Sequence, residues 1–154
     1  MTIKKPKDCS KEELELFKKL VLAGGQVDPN GLEGRIRDCR LLGFYYDDEK
    51  ELVGVSALKS KSPNSVEIIK AKAEISDDEI PKFELGYSVT KKEFRGQGIN
   101  RTINDKLLDE ISGEKIYATT DNATMRKYLI EKGFAKKGKS FKGKYNENLD
   151  YYEK

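Results

Sequence analysis

The chain has 154 residues, of which 37% are charged, and its 30 basic and 27 acidic side chains leave a formal net charge of +3. This length suits one domain, residues 1–154, and a charge so small and mixed does not favour nucleic acid or an anionic membrane as a partner. The absence of histidine excludes Ser-His-Asp and Cys-His nucleophiles, imidazole metal ligands and a histidine general base.

The two cysteines, Cys9 and Cys39, are far apart and have no CxxC spacing. We therefore expect free thiols in a reduced, cytoplasmic protein, with no metal site. Neither thiol has a recognisable base or an activating loop beside it, which favours incidental thiols over nucleophiles. The start of the chain has no apolar run after its lysines, so we expect neither a secretory signal nor a membrane span.

The N-terminal half predicts a capped helix followed by a hairpin. Ser10 with Glu13 has the spacing of a capping box, and apolar residues at helical spacing continue to Gly24 and Gly25. Residues 26–39 predict a loop leading into a brief helix, and residues 40–46 and 52–58 predict the two strands of the hairpin. Residues 65–82 fit either a strand or a helix.

The C-terminal half predicts a strand, a glycine-rich turn and a helix. Residues 83–90 alternate in character, which places Glu84 on the side away from the apolar row. The segment Arg95-Gly96-Gln97-Gly98 then precedes apolar residues that recur every four positions, at Ile99, Ile103, Leu107 and Ile111. Residues 115–120 predict a strand and residues 122–132 a helix. Residues 134–152 predict two further strands.

A strand, a glycine-rich turn and a helix start bring main-chain N–H groups and the positive end of the helix dipole to one place, which suits a phosphate or diphosphate. Gly96 and Gly98 would let the main chain approach such a ligand closely. Arg95 and Arg101 flank the turn and are able to add charge-assisted hydrogen bonds. The alternative is a glycine turn that only begins the helix.

Two phosphate-binding motifs do not fit this turn. A Walker A loop requires G-x-x-x-x-G-K-S/T, which is absent. A dinucleotide fingerprint would need a third glycine where Arg101 stands, and too few strands follow the turn for a doubly wound sheet.

The turn resembles instead the central signature of the GNAT superfamily of CoA-dependent N-acetyltransferases, a strand followed by Q/R-x-x-G-x-G/A at a helix start. Arg95 and Gly98 match its first and fourth positions. The resemblance covers residues 83–135, where the strand looks like the family's fourth strand and residues 122–134 look like its N…GF helix. It implies an α/β (α+β) fold, with a mixed, mostly antiparallel central sheet of six to seven strands flanked by about four helices.

The resemblance also implies a site for acetyl-CoA, with the sheet splayed near residues 88–90. The strand would bind the pantetheine arm, the turn would hold the diphosphate, and Asn122 would lie near the thioester. The positions implied to bind acetyl-CoA are Ser88, Val89, Thr90, Arg95, Gly96, Gln97, Gly98, Ile99, Asn100, Arg101 and Asn122.

Two positions depart from the family pattern. Asn100 stands where glycine or alanine is usual, so its side chain must either bond a phosphate or turn outward. Leu129 stands where the family often has a tyrosine that protonates the leaving thiolate. Tyr128 is the neighbouring candidate acid, although one residue is about 100° around a helix. A CoA thiol has a pKa near that of cysteine, about 8.5, so it is able to leave without a dedicated acid.

The implied reaction is direct attack of a neutral primary amine on the thioester, with a strand N–H near Val89 stabilising the oxyanion. With no histidine available, Glu84 is the candidate general base, through water. The alternative for Glu84 is a solvent-facing residue or an ion-pair partner. Glu33 and Asp38 are further candidates for the counter-charge to the amine.

Two other groups of residues have a structural and a functional interpretation. Five lysines near the C-terminus could steer an anionic acceptor or reach a CoA phosphate, or they could protect an edge strand from aggregation. They are Lys136, Lys137, Lys139, Lys142 and Lys144. Four tyrosines could stack on bases or line an acceptor pocket, or they could pack in the core. They are Tyr45, Tyr46, Tyr151 and Tyr152.

The sequence thus predicts an acetyl-CoA-dependent N-acetyltransferase that acts on a small-molecule or peptide amine as a monomer or homodimer. The alternative is a catalytically weak acyl-CoA-binding or protein-interaction module on the same fold.

Overall fold

The computed structural model describes all 154 residues, which form five α-helices and seven β-strands. The helices are α1 (Lys11–Ala23), α2 (Leu32–Arg37), α3 (Pro63–Lys72), α4 (Ile99–Asp109) and α5 (Ala123–Glu131). The strands are β1 (Thr2–Lys4), β2 (Leu41–Tyr46), β3 (Leu52–Ser60), β4 (Phe83–Thr90), β5 (Ile116–Thr120), β6 (Ala135–Phe141) and β7 (Leu149–Glu153). None of the helices has the length and apolar character that crossing a bilayer requires.

The strands form one sheet in the order β1-β2-β3-β4-β5-β7-β6. Neighbouring strands run antiparallel in the pairs β1–β2, β2–β3, β5–β7 and β6–β7. The pairing of β4 with β5 is parallel and covers Phe83 with Ile116 and Glu84 with Tyr117. The predicted mixed, mostly antiparallel sheet is therefore confirmed, and five helices accompany it where about four were expected.

The predicted elements agree with the structure along most of the chain. Ser10 and Glu13 form the expected capping box at the start of α1, and β4 has the predicted bounds. The ambiguous segment 65–82 begins in a helix, because Ser62 accepts a hydrogen bond from the Ser65 N–H at 3.3 Å and Pro63 occupies the first helical turn. The short strand β1 was not predicted, since Ile3 is its only large apolar side chain.

The chain divides into two compact units, residues 1–59 with 85–112 and residues 60–84 with 113–154. The division falls inside β4, between Glu84 and Leu85. The single domain expected from the length stays a prediction.

In the first unit, α1 and α2 contribute to a buried apolar cluster together with β2 and β3. Phe17 meets Phe44 edge to face, with ring centroids 5.4 Å apart. The other fully buried members include Leu32, Ile36, Leu42, Val55 and Ala57. Burial of this apolar surface is the main source of stability for the unit.

Helix α4 packs unusually close to β2 and β3, and two glycines make this possible. A Cβ on Gly43 would lie 2.2 Å from Ile103 Cγ2, and a Cβ on Gly54 would lie 2.4 Å from Ile99 Cγ2. Neither strand position has room for a side chain, because the facing isoleucines are β-branched and stiff. The two glycines therefore fix the distance between the sheet and the first turn of α4.

In the second unit, a chain of charged side chains accompanies a small aromatic core in which Tyr117 and Tyr151 stack at 5.2 Å. Lys70 is only 3% exposed and donates to the Asp77 carboxylate. The same carboxylate lies 3.2 Å from Lys137 Nζ, which is 2.5 Å from Glu153 Oε2. These bonds connect α3, the loop after it, β6 and β7.

Gly54→Ala should destabilise the protein by about 1–3 kcal/mol, because the new methyl group overlaps Ile99 and forces α4 away from the sheet. Urea unfolding measures the loss. Gly34→Ala is the matched control, since Gly34 lies in α2 with open space around it, and this change should leave stability unaltered or raise it. Equal effects of the two substitutions would contradict the close contact.

Asp77→Asn should destabilise the protein at neutral pH and have little effect in strong acid. The Lys70 hydrogen bond lowers the pKa of Asp77 from 3.8 to about 2. A depressed folded pKa adds stability that is complete above the unfolded value and is lost as pH falls toward the folded value. Unfolding curves of both proteins should therefore converge between these two pH values. Asp78→Asn removes the same charge one residue away and should show no such convergence.

Candidate functional site

Strand β4 contains a left-handed residue in its middle. Tyr87 has a φ of 54° although it is not a glycine, a conformation that persists only when the surroundings enforce it. Its side chain is buried in the first-unit core, and Lys59 Nζ lies 4.5 Å from the ring centroid. The regular alternation of β4 ends here, because Ser88 and Val89 are both partly exposed.

A buried polar cluster lies beside this left-handed residue. Ser56 Oγ on β3 is 2.6 Å from Asn104 Oδ1 on α4 and 2.7 Å from Ser88 Oγ on β4. Both Ser56 and Asn104 are almost fully buried. The sequence analysis missed this cluster, although Asn100 and Asn104 repeat the four-residue spacing beside the apolar row of α4.

The end of β4 is held by contacts to α1 and β3. A Cβ on Gly24, which follows α1, would lie 2.8 Å from Val89 Cγ2, so that helix end touches the strand. The Lys91 N–H donates to the Val53 carbonyl at 2.8 Å. Arg95 turns back and donates from Nε to the Thr90 carbonyl at 3.2 Å. The strand that is expected to bind pantetheine is thus joined directly to the glycine-rich turn.

The glycine-rich turn adopts a left-handed conformation at both glycines. Gly96 has a φ of 79°, and Gly98, the N-cap of α4, has a φ of 74°. A Cβ at either position would meet no atom within 4 Å, and no side chain caps the helix. The first helical bond runs from the Thr102 N–H to the Gly98 carbonyl at 3.0 Å. The amides before Thr102 therefore present the positive end of the helix dipole beside open space, which suits an anion.

The first unit brings together most of the residues predicted to bind acetyl-CoA. Its β4 segment contributes Ser88, Val89 and Thr90, and its turn contributes residues 95–101. The Ser88 hydroxyl is directed at Ser56, so the strand's main chain is the part suited to a ligand.

Asn100, in the first turn of α4, has a buried side-chain oxygen with no hydrogen-bond partner. Of the two alternatives for this side chain, turning outward does not describe its oxygen atom, and bonding to a phosphate stays a prediction. A buried acceptor without a partner indicates a site that a donor such as water would complete. The amide nitrogen is the atom of Asn100 that is suited to a phosphate.

Glu84 lies at the start of β4, in the second unit, and its side chain is 14% exposed. Its Oε2 accepts a hydrogen bond from the Tyr117 hydroxyl at 3.2 Å and lies 3.4 Å from Lys61 Nζ. Burial, reinforced by the charge of Glu84, raises the pKa of Tyr117 far above its ordinary value, so the phenol stays a donor. Glu84 is thus an ion-pair partner, and its role as a general base stays a prediction.

Asn122 and Tyr128 also lie in the second unit. The Asn122 side-chain oxygen caps α5 by accepting from the Met125 N–H at 2.9 Å. Tyr128 is 5% exposed, with Lys132 Nζ at 5.7 Å from its ring centroid, and Leu129 is fully buried. A capping role accounts for the Asn122 oxygen, while the roles of Asn122 toward acetyl-CoA and of Tyr128 as an acid stay predictions.

The lysines of the C-terminal segment favour the structural interpretation. Strand β6 is at one edge of the sheet, and three of its lysines pair with carboxylates. Lys136 Nζ lies 3.5 Å from Asp150, Lys137 pairs with Glu153, and Lys139 Nζ lies 2.8 Å from Glu74. These pairs neutralise much of the positive charge that would otherwise steer an anionic acceptor.

The other candidates are also engaged in local structure. Glu33 pairs with Arg37 on the exposed side of α2, at 3.1 Å. Tyr151 and Tyr152 are buried, which favours packing over stacking on a base. Cys9 and Cys39 are free cysteines, as expected.

No family model and no curated protein matches the chain in sequence, whereas solved structures match it in fold. An acyl-CoA N-acyltransferase from Pseudomonas aeruginosa has a TM-score of 0.73 at 15% identity, with 99% of this chain and 97% of that chain covered. A GNAT-family acetyltransferase from Streptococcus agalactiae has a TM-score of 0.67 at 16% identity, covering 99% and 94%. A ribosomal-protein-alanine N-acetyltransferase from Brucella melitensis has a TM-score of 0.65 at 18% identity, covering 100% and 99%. The chain therefore has the GNAT acetyltransferase fold over its whole length.

Proposed function

Starting from the GNAT acetyltransferase fold, we propose that this protein transfers the acetyl group of acetyl-CoA to a primary amine. The observation that carries the proposal is the glycine-rich turn that leads into α4. Gly96 and Gly98 are left-handed there, a Cβ at either would meet nothing, and the helix has no side-chain cap. A diphosphate needs such an arrangement of main-chain donors.

The residues of the first unit fit acetyl-CoA in two ways. The turn from Arg95 to Arg101 offers main-chain N–H groups and two guanidinium groups for the diphosphate. The main chain of β4 from Ser88 to Thr90 offers hydrogen-bonding groups for the amides of the pantetheine arm. Bound acetyl-CoA would supply an acetyl group activated as a thioester.

The protein's part in the reaction is to handle one proton and one developing charge. Glu84 accepts, through water, the proton that the acceptor ammonium must lose before its nitrogen can attack. The Val89 N–H donates to the thioester oxygen as negative charge develops there. The new carbon–nitrogen bond forms as the carbon–sulfur bond breaks, the sulfur leaves with the electron pair, and the nitrogen releases its second proton to water. Since such a thiol has a pKa of about 8.5, water is an adequate source of its proton.

The Glu84 environment supports this assignment. Lys61 Nζ lies 3.4 Å from its Oε2, and the Tyr117 hydroxyl donates to the same oxygen at 3.2 Å. These contacts give the carboxylate a fixed position at the start of β4. We propose a small-molecule or peptide amine as the acceptor.

A second candidate function is an acyl-CoA-binding or protein-interaction module with weak chemistry. Leu129 favours it, because a fully buried leucine occupies the position where a thiolate-protonating tyrosine would stand. Both functions use the acyl-CoA pocket, either to bind acyl-CoA or for its shape alone. They differ in whether a thiol is released.

Titration calorimetry with acetyl-CoA tests the binding site. The wild-type protein should bind acetyl-CoA, and Gly98→Ala should weaken binding by about tenfold or more, since the new methyl group enters the ligand space. The positive φ at this position makes alanine cost about 1–2 kcal/mol of stability as well. Gly113→Ala is the matched control, because Gly113 is also left-handed with open space around it. The control should lose similar stability and keep its affinity. No wild-type binding would overturn the proposed function.

Glu84→Gln tests the base. Thiol release over a panel of amines should slow by about 100-fold, and the rise of the rate with pH at the acidic end should disappear. Glu93→Gln, which neutralises a carboxylate just beyond β4, should leave the profile unchanged. An unaltered pH–rate profile for Glu84→Gln would remove this residue as the base. Binding of acetyl-CoA without thiol release from any amine would favour the binding module.

A further inference from the structure

One buried hydroxyl contacts the residues on both sides of the left-handed Tyr87. Ser56 Oγ is 3.3 Å from the Gly86 carbonyl oxygen and 2.7 Å from Ser88 Oγ. Gly86 and Ser88 are the chain neighbours of Tyr87, whose φ is 54°. The strained residue is therefore bracketed by two contacts to a single atom of the adjacent strand.

Asn104 holds this hydroxyl from the other side. Its Oδ1 is 2.6 Å from Ser56 Oγ and 3.4 Å from Ser88 Oγ. In the consistent arrangement the Ser88 hydroxyl donates to Ser56 and the one Ser56 proton goes to Asn104, so the Gly86 carbonyl is a close contact of Ser56 Oγ rather than a second hydrogen bond. Asn104 lies on α4, so the cluster joins the glycine-rich helix start to the strand.

Ser56 is a polar residue in the middle of a fully buried stretch of β3, where its chain neighbours Val55 and Ala57 are apolar. Its polar neighbours lie on β4 and α4. A left-handed tyrosine is costly unless its neighbours are fixed. A buried hydroxyl with hydrogen-bond partners on both β4 and α4 is suited to fixing the strand, which an apolar side chain is not.

We propose that Ser56 and Asn104 are positioning residues for acetyl-CoA: they hold β4 in its left-handed turn at Tyr87 and so set the direction of the main chain from Ser88 to Thr90. This inference rests on the proposed function, because it concerns the pantetheine part of that same site. It assigns the diphosphate to the turn of α4 and the pantetheine arm to the strand that Ser56 and Asn104 hold.

The test compares two ligands on the full chain. Acetyl-CoA has both the diphosphate and the pantetheine arm, whereas phosphoadenosine diphosphate, the nucleotide half of CoA, has only the first. Ser56→Ala should lower the affinity for acetyl-CoA by about tenfold and change the affinity for the nucleotide by less than about twofold. Asn104→Leu keeps the branched shape of the side chain but removes the acceptor. It should reduce the two affinities in the same unequal way, and it replaces Ser56→Ala if that variant does not fold.

Val55→Ala is the matched control, because it truncates a buried residue of the same strand that packs in the apolar cluster of α1 and α2. It should lower the melting temperature at least as much as Ser56→Ala and leave the ratio of the two affinities unchanged. Equal weakening of both ligands by Ser56→Ala, or no weakening, would overturn the inference while the proposed function stands. A wild-type protein that binds neither ligand would overturn the proposed function first.

Discussion

The close contact between α4 and the sheet is the constraint on which the candidate site depends. Gly43 and Gly54 leave no room for a side chain under Ile103 and Ile99, so the helix can lie against the strands themselves. This brings Asn104 within hydrogen-bond distance of Ser56. A helix held farther away would lose that bond, and its first turn would no longer have a fixed place relative to β4.

The first unit therefore combines a strained element with a rigid support. Tyr87 is held in a conformation that its own side chain disfavours, and strain of this kind is found where a structure serves a site rather than its own stability. The support is made of buried hydrogen bonds that are short and mutually connected. Polar clusters of this type fix one geometry because leaving any member unpaired is costly.

The second unit uses charge in a different way. Its lysines and carboxylates pair with one another around a small aromatic core, so that a basic segment of the sequence becomes largely neutral at the edge strand. Glu84 belongs to this unit and is held by Lys61 and Tyr117. These contacts give its carboxylate a fixed position at the start of β4.

The sequence by itself determined most of the elements, although not β1 or the type of α3, and it determined the place of the glycine-rich turn. The capping box at Ser10, the alternation of β4 and the spacing of Gly96 and Gly98 are local signals, since each depends on backbone periodicity within a few residues. Only the tertiary structure decided that Tyr87 is left-handed and that Ser56 meets Asn104. Tyrosine in an alternating segment predicts an ordinary strand, and a bond between residues distant in sequence exists only once α4 has packed against the sheet.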